Sequence, residues 1–233
     1  MIKWHDHHEL EGTHAFLGAS KYQWLNYSDD ILIKRYNSSF AQDIGTLMHE
    51  LASDLIKNRI KLNKSDSHII DLIMAKHYIP KSAYDNNMLL NVLVPFVKDA
   101  LGFRMDSEVI LFYDYLCYGT ADAIKYSEVK KELRIHDLKT GVTAASFKQL
   151  IIYAAMFYTE YRISPFENQT ILRLYQNLDL SDEAIAEMRE QGIDITEDYL
   201  EHIVPPEIIK DVMDKMKTST NKIRESLGKE PIE

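Results

Sequence analysis

A single cysteine, Cys117, in 233 residues excludes an intrachain disulfide, a paired-cysteine zinc knuckle and a four-cysteine iron–sulfur site. Glycine and proline are scarce, at 8 and 6, which argues against flexible linkers and against a turn-dense all-β chain. No run reaches the roughly 18 consecutive apolar residues needed to span a bilayer. The opening from Met1 to His8 lacks the basic-then-apolar layout of a secretory leader. The expectation is a cytoplasmic protein that makes no use of a membrane. Basic charge is also short: 27 Lys and Arg against 36 Asp and Glu give a net charge of −9. Neutralising phosphates takes cations, so nucleic acid would have to meet a local basic surface.

What is present is ordinary globular material. Hydrophobic residues make up 45% and charged residues 27%, enough for a packed core and too apolar for long disorder. The length suits one domain over 1–233 with no clean linker. Within it, 1–104 reads as mainly helical, 105–176 as a sheet with a helix, and 177–233 as a helical extension.

Ser20 is a candidate N-cap for a short helix over 21–26. Ile44, Leu47, Met48, Leu51 and Leu55 recur at helical spacing within 40–62. Further helices are expected over 67–77 and over 87–101, the latter stopped by Gly102. The β-branched and aromatic stretch 108–115 then predicts a strand, followed by strands over 117–125 and 132–139 around a polar turn at 127–131. A helix over 146–162, a strand over 169–175, a short helix over 183–190 and a terminal helix over 205–227 complete the order. This is an α/β (α+β) pattern: a small mixed sheet, mainly an antiparallel meander, with helices on both faces.

The chemistry lies in two strands. Asp137 and Lys139 share one side of the third strand, while Arg134, His136 and Leu138 take the other. A turn near 128 brings Asp122 of the preceding strand beside Asp137. Two carboxylates about 4 to 6 Å apart repel unless a cation lies between them. Mg²⁺ suits such a pair, because it takes one or two carboxylates, keeps waters and accepts phosphate oxygens. Lys139 can orient a water and offset charge on a pentavalent phosphate.

Asp122 with Asp137-Leu138-Lys139 resembles the PD-(D/E)XK nuclease superfamily, with a restriction-endonuclease-like core. The chain is similar to its RecB-like branch, which holds phage and prophage exonucleases and the CRISPR-adaptation nucleases. Gly45-Thr46-Leu47-Met48-His49-Glu50 looks like the branch's Gly-Thr-x-x-His-Glu. Gln149 and Tyr153 look like its Gln-x-x-x-Tyr, and the stretch from His14 to Ser20, with Trp24 to Asn26, is similar to the opening of a phage-associated subgroup. The likeness runs in order from His14 to Tyr158; nothing beyond about 176 takes part. It departs at Tyr27, where the subgroup tends to place a cysteine, and it lacks the four cysteines of the CRISPR-adaptation relatives.

The resemblance implies one or two Mg²⁺ or Mn²⁺ ions held by His49, Asp122, Asp137 and the Leu138 carbonyl. It implies Asp122, Asp137 and Lys139 as the catalytic set, with Gln149 and Tyr153 in support. It further implies DNA as substrate, exonuclease action, and a single-strand annealing or recombination protein as partner.

Each residue also has a plainer reading. The two aspartates can be turn or salt-bridge residues, and His49, about 140° round the helix from Ile44, a boundary histidine. Gln149 fits a capping box begun by Ser146. Glu108 suits a surface position better than the acidic cluster. His5, His7, His8 and His14 have no regular ligand spacing and are more often solvated than metal-bound. The basic runs 57–64 and 125–134 flank the site in sequence and are candidates for tracking phosphates. Trp4, Trp24 and the tyrosines suit base stacking or core packing. The rival function is a catalytically silent nucleic-acid- or protein-binding module on a nuclease fold; a purely structural protein, binding no Mn²⁺, is a third.

Overall fold

The computed structural model describes residues 5–141, 144–177 and 180–232. Trp4 lies outside them. Among the described residues the helices are α1 (Asp29–Ser38), α2 (Ala41–Lys57), α3 (Ser67–Lys76), α4 (Asn86–Gly102), α5 (Lys148–Glu160), α6 (Asp182–Glu190) and α7 (Pro206–Ser226). The strands are β1 (Asp106–Asp114), β2 (Cys117–Ser127), β3 (Glu132–Lys139), β4 (Gln169–Gln176), β5 (Ile193–Ile195) and β6 (Leu200–Val204). They form one mixed sheet in the order β1-β2-β3-β4-β6-β5. β1, β2 and β3 make the antiparallel meander, and β4 runs parallel to β3 after the α5 crossover. A parallel pair cannot be closed by a tight hairpin, which is why α5 must cross a face of the sheet.

Two cores lie on the two faces. Residues of α2, α3 and α4 pack with Ala123, Leu138 and Tyr175. Residues of α5 and α7 pack with Leu133, Ile135, Leu172 and Leu174 on the other side. Strand alternation puts Ile135 and Leu138 in opposite cores, as a central strand covered on both faces requires. Burial on this scale, at about 25 cal/mol per Å² of apolar surface, holds the sheet and so fixes where its strand ends lie.

The expected mixed α/β architecture is present, with corrections at its margins. The sheet has six strands, because β5 and β6 went unpredicted; both are short, and β6 follows a polar stretch with little alternation. α1 was also missed: none of its residues is buried, so no apolar stripe announces it. The segment Ala19–Asn26 is 3₁₀ and is flanked by Gly18, with Ser20 inside it and not capping it. α2 ends at Lys57, short of 62. Gly102 is the last residue of α4 instead of its stop signal.

Four chain reversals after helices use other residues. Arg59, Tyr78, Arg104 and Arg162 take φ between 54° and 57°, just past α2, α3, α4 and α5. Each is followed by an apolar residue whose N–H reaches back five positions, as Met105 does to Ala100 at 2.8 Å and Ile79 to Met74 at 2.9 Å. This is the Schellman closure with its hydrophobic contact, made without glycine. At Tyr78 and Arg104 the following Ile79 and Met105 are buried, which offsets the left-handed cost; after Arg59 the following Ile60 stays exposed.

Candidate metal centre and active site

β2 and β3 pair from Ser127↔Glu132 to Ala123↔His136, and there the ladder stops. One step further, the Leu138 N–H donates to Oδ2 of Asp122 at 2.8 Å. The carboxylate substitutes for a strand acceptor, so Asp122 is held in the opening between the two strands. Leu138 itself is fully buried in the α2–α4 core, which anchors the strand segment carrying Asp137 and Lys139.

β1 is disturbed at the same level. Ser107 pairs with Ala123 and Val109 with Ala121, but the Glu108–Asp122 pair between them is missing. Glu108 has φ 54°, a left-handed conformation that costs a residue with a side chain about 1 kcal/mol or more. Ala123 packs in one core and Ala121 in the other, so the strand changes face across Asp122. Strict alternation, on which the sequence reading relied, fails at Asp122.

α2 brings His49 from one layer. Its Nδ1 lies 3.3 Å from Oδ1 of Asp122. Gly45, a turn earlier, allows a close approach: a Cβ there would sit 3.4 Å from the Thr140 hydroxyl. α5 brings Gln149 and Tyr153 from the other layer. Lys139 Nζ lies 3.1 Å from Oδ1 and 2.9 Å from Oδ2 of Asp137. The same ammonium donates to Oε1 of Gln149 at 3.0 Å, and the Gln149 amide donates to the Tyr153 hydroxyl at 2.9 Å. Tyr153 in turn lies against Gly119, where a Cβ would come within 2.8 Å of its ring. The Ser146 capping box does not form; α5 starts after Phe147 without a side-chain cap. Gln149 is free to hold the lysine.

The electrostatics are those of crowded acids. Asp137 is 2% exposed; burial and the Asp122 charge push its carboxyl up to about 6, with Lys139 pulling the other way. Its Oδ2 has no hydrogen-bond donor in good geometry, although Lys139 faces it. Burial and Asp122 also raise Glu108. Burial alone would lower His49, but the hydrogen bond to Asp122 and the charges of Asp122, Asp137 and Glu108 outweigh it and raise the imidazole. The ligand atoms of His49, Glu108 and Asp122 all lie within 4.8 Å of one another. One imidazole nitrogen and several carboxylate oxygens, with Asp137 and Glu108 destabilised in their charged forms by burial and by Asp122, fit a divalent cation.

A cleft of about 770 Å³ opens over this group, lined by His49, Glu50, Asp54, Lys57, Glu108 and Asp122 among others. All six residues named with side-chain roles in the sequence reading thus meet at one sheet end: His49, Asp122, Asp137, Lys139 and Gln149, with Tyr153 behind. Glu108, assigned to the surface, is exposed and yet faces the cluster. The signal for it was weak, since only its register opposite Asp122 distinguishes it from any strand acid.

The basic runs separate. Lys57 lines the cleft, but Lys125 lies 3.8 Å from Asp106, and Arg134 binds Glu132 and stacks on Phe103. The 127–131 turn is at the far end of the meander, so that run does not flank the site. His7 and His8 are exposed, within ion-pair distance of acids in their own segment. No family model, curated protein or solved structure matches the chain.

Proposed function

We propose that the chain is a divalent-metal-dependent nuclease that hydrolyses DNA phosphodiester bonds. The observation that carries the reading is the meeting of Asp122, Asp137 and Lys139 with His49, of which His49 and Asp122 line an open cleft. On the resemblance to the RecB-like branch of the PD-(D/E)XK superfamily, the action is that of a phage or prophage exonuclease, with an annealing or recombination protein as partner.

His49, Asp122 and Asp137, with the Leu138 carbonyl, would hold Mg²⁺ or Mn²⁺. The ion would supply Lewis-acid polarisation of the phosphate and a more acidic water. The chain's own groups do the rest. Asp122, held by the Leu138 N–H, and buried Asp137 keep fixed positions before substrate arrives. Lys139, tethered through Gln149 and Tyr153, holds an ammonium where it orients the attacking water and offsets negative charge on the phosphorane. His49 and Asp122 keep each other's orientation through their contact.

The test is incubation of linear and covalently closed DNA with Mg²⁺, Mn²⁺ or EDTA, read on a gel. Metal-dependent loss of linear DNA that Asp137→Asn abolishes is the expected result; undiminished cleavage by that variant would refute the assignment. The acidic cleft, with Glu50, Asp54, Glu108 and Asp122 against Lys57, favours the second reading, a silent binding module. DNA bound and left intact in Mn²⁺ would establish it.

A further inference from the structure

The cleft continues past the acids onto the β1–β2 hairpin. Thr120 lines the cleft and pairs with Ile110, and the next pair on that side is Tyr118 with Phe112. Leu111 and Ala121 point the other way, into the core of α5, and Gly119 lies against Tyr153. Ile110, Phe112, Tyr118 and Thr120 therefore share the cleft side of the hairpin. α2 reaches Ser107 on that side, where the Ser53 and Ser107 hydroxyls are 3.1 Å apart. Beyond it Ile110 is 65% exposed, Tyr118 64% and Tyr115, near the tip, 86%. The Tyr115 and Phe112 rings meet edge to face, with centroids 5.4 Å apart. A strip of apolar and aromatic side chains without charge so leads from the cleft to the hairpin tip.

β1 is an edge strand of the sheet, but its edge is poorly shaped for pairing with another strand. The Phe112 N–H already donates to Glu160 at 2.9 Å, Glu108 is left-handed, and the register shifts between Phe112 and Asp114. What the hairpin offers is its face, and exposed rings on a sheet face stack on nucleobases. The chain's net charge is −9, and Lys57 stands among acids in the cleft, so a nucleic acid cannot be held there chiefly through its phosphates. Stacking adds affinity without cations, and it needs bases whose flat faces are free. We propose that Phe112, Tyr115 and Tyr118 form a base-stacking platform that receives single-stranded DNA and leads it to the cleft. The inference rests on the nuclease reading and deepens it, by making an unpaired strand the form of DNA that the site engages.

Fluorescence anisotropy of dye-labelled oligo(dT) with the full chain, in EDTA and low salt, reads binding without cleavage. The wild type should bind the oligonucleotide more tightly than a blunt duplex of equal length, and with a shallow dependence on salt. Replacing both Tyr115→Ala and Tyr118→Ala should weaken oligo(dT) binding about tenfold or more. Tyr118→Trp, which offers a larger ring at the same exposed position, should keep or tighten it. No oligo(dT) binding by the wild type, equal binding of strand and duplex, or unchanged affinity in the double variant would overturn the inference. So would loss of a dimer by the double variant with oligonucleotide binding intact, which would make the strip a contact between two copies. In each case, cleavage of linear DNA that depends on metal and on Asp137 would leave the nuclease reading standing.

Discussion

Two groups of charged side chains meet the central strands, and they are built on opposite terms. At the cleft end stand His49, Glu108, Asp122 and Asp137 with the ammonium of Lys139 beside Asp137 and that of Lys57 lining the cleft. On the α4 side, Arg173 donates to Asp99 at 2.7 Å and to Glu201 at 2.5 Å, and the Tyr175 hydroxyl donates to Asp99 at 2.8 Å. Arg173 also lies over the rings of Phe103 and Tyr199. His136 contacts Tyr175 and is kept neutral, because burial and then the Arg173 and Arg134 charges hold its pKa well below the usual value. In the Arg173 group each carboxylate has its donor; in the cleft group acids outnumber cations, and burial with the Asp122 charge pushes Asp137 and Glu108 upward. Although His136 Nε2 there has no hydrogen-bond partner, carboxylates paired with donors are what a structural role needs, while surplus like charge is retained at a cost to stability. That contrast is the physical reason to look for function at Asp122 and not at Arg173.

The comparison can be broken from either side. The largest effect expected is kinetic. Asp122→Asn should lower metal-dependent DNA cleavage on the order of 10³-fold, about 4 kcal/mol, with a melting temperature unchanged or higher, since a repulsion is relieved. Arg173→Ala should do the reverse. It strands Asp99 and Glu201 and should cost about 3 kcal/mol in chemical denaturation, while the cleavage rate of the folded fraction stays near wild type. A variant that fails in the opposite sense would erase the distinction between the two groups.

A pH series sharpens it further. In metal-free protein the folded state holds the Asp137 proton up to about pH 6, whereas an unfolded aspartate releases it near its ordinary value. The folded state therefore binds more protons in that window, and its stability falls as pH rises through it. His49 acts in the same direction at higher pH, because its raised pKa makes a contribution that is lost as the imidazole deprotonates. Asp137→Asn should flatten the acid part of this slope, by on the order of 2 kcal/mol in the stability difference between pH 4 and pH 7. Melting curves in EDTA across that range check the sign; a stability that climbs with pH and is untouched by Asp137→Asn contradicts the account.

The smallest effect concerns the lysine's tether. Gly119→Ala would place a Cβ 2.8 Å from the Tyr153 ring, moving the hydroxyl that holds Gln149 and so Lys139. A loss of about tenfold in cleavage rate is expected, with little change in melting temperature. Tyr153→Phe, which removes the hydroxyl and keeps the ring, should fall on the same side.

Much of this was legible beforehand, and for identifiable reasons. β3 spans Glu132–Lys139 as expected from the sequence, and α3, α5 and α7 come within a few residues of their expected ranges. The nearness of Asp122 to Asp137, felt in the raised Asp137 carboxyl, was expected from a turn at 127–131, although the ladder stops before the two acids pair. Glu108 escaped because local strand rules describe it as an outward acid. Its role depends on the missing Glu108–Asp122 pair, a property of two strands together. β5 and β6 escaped because their pairing with β4 is long-range and their own pattern is too short to speak for itself.

The linear order of apolar stripes, strand runs and chemically distinctive residues determined the elements, their layering and the identity of Asp122, Asp137, Lys139 and His49 as a set. The elements and their layering are consequences of periodicity, which a chain carries locally; the four residues as a set are what the motif resemblance implies. Tertiary structure alone decided that the β2–β3 ladder ends just before the acids, that helices from both layers reach the opening, and that Glu108 joins His49 while Asp137 turns to Lys139. Those depend on where packed cores stop the strands from pairing, and no local pattern encodes that.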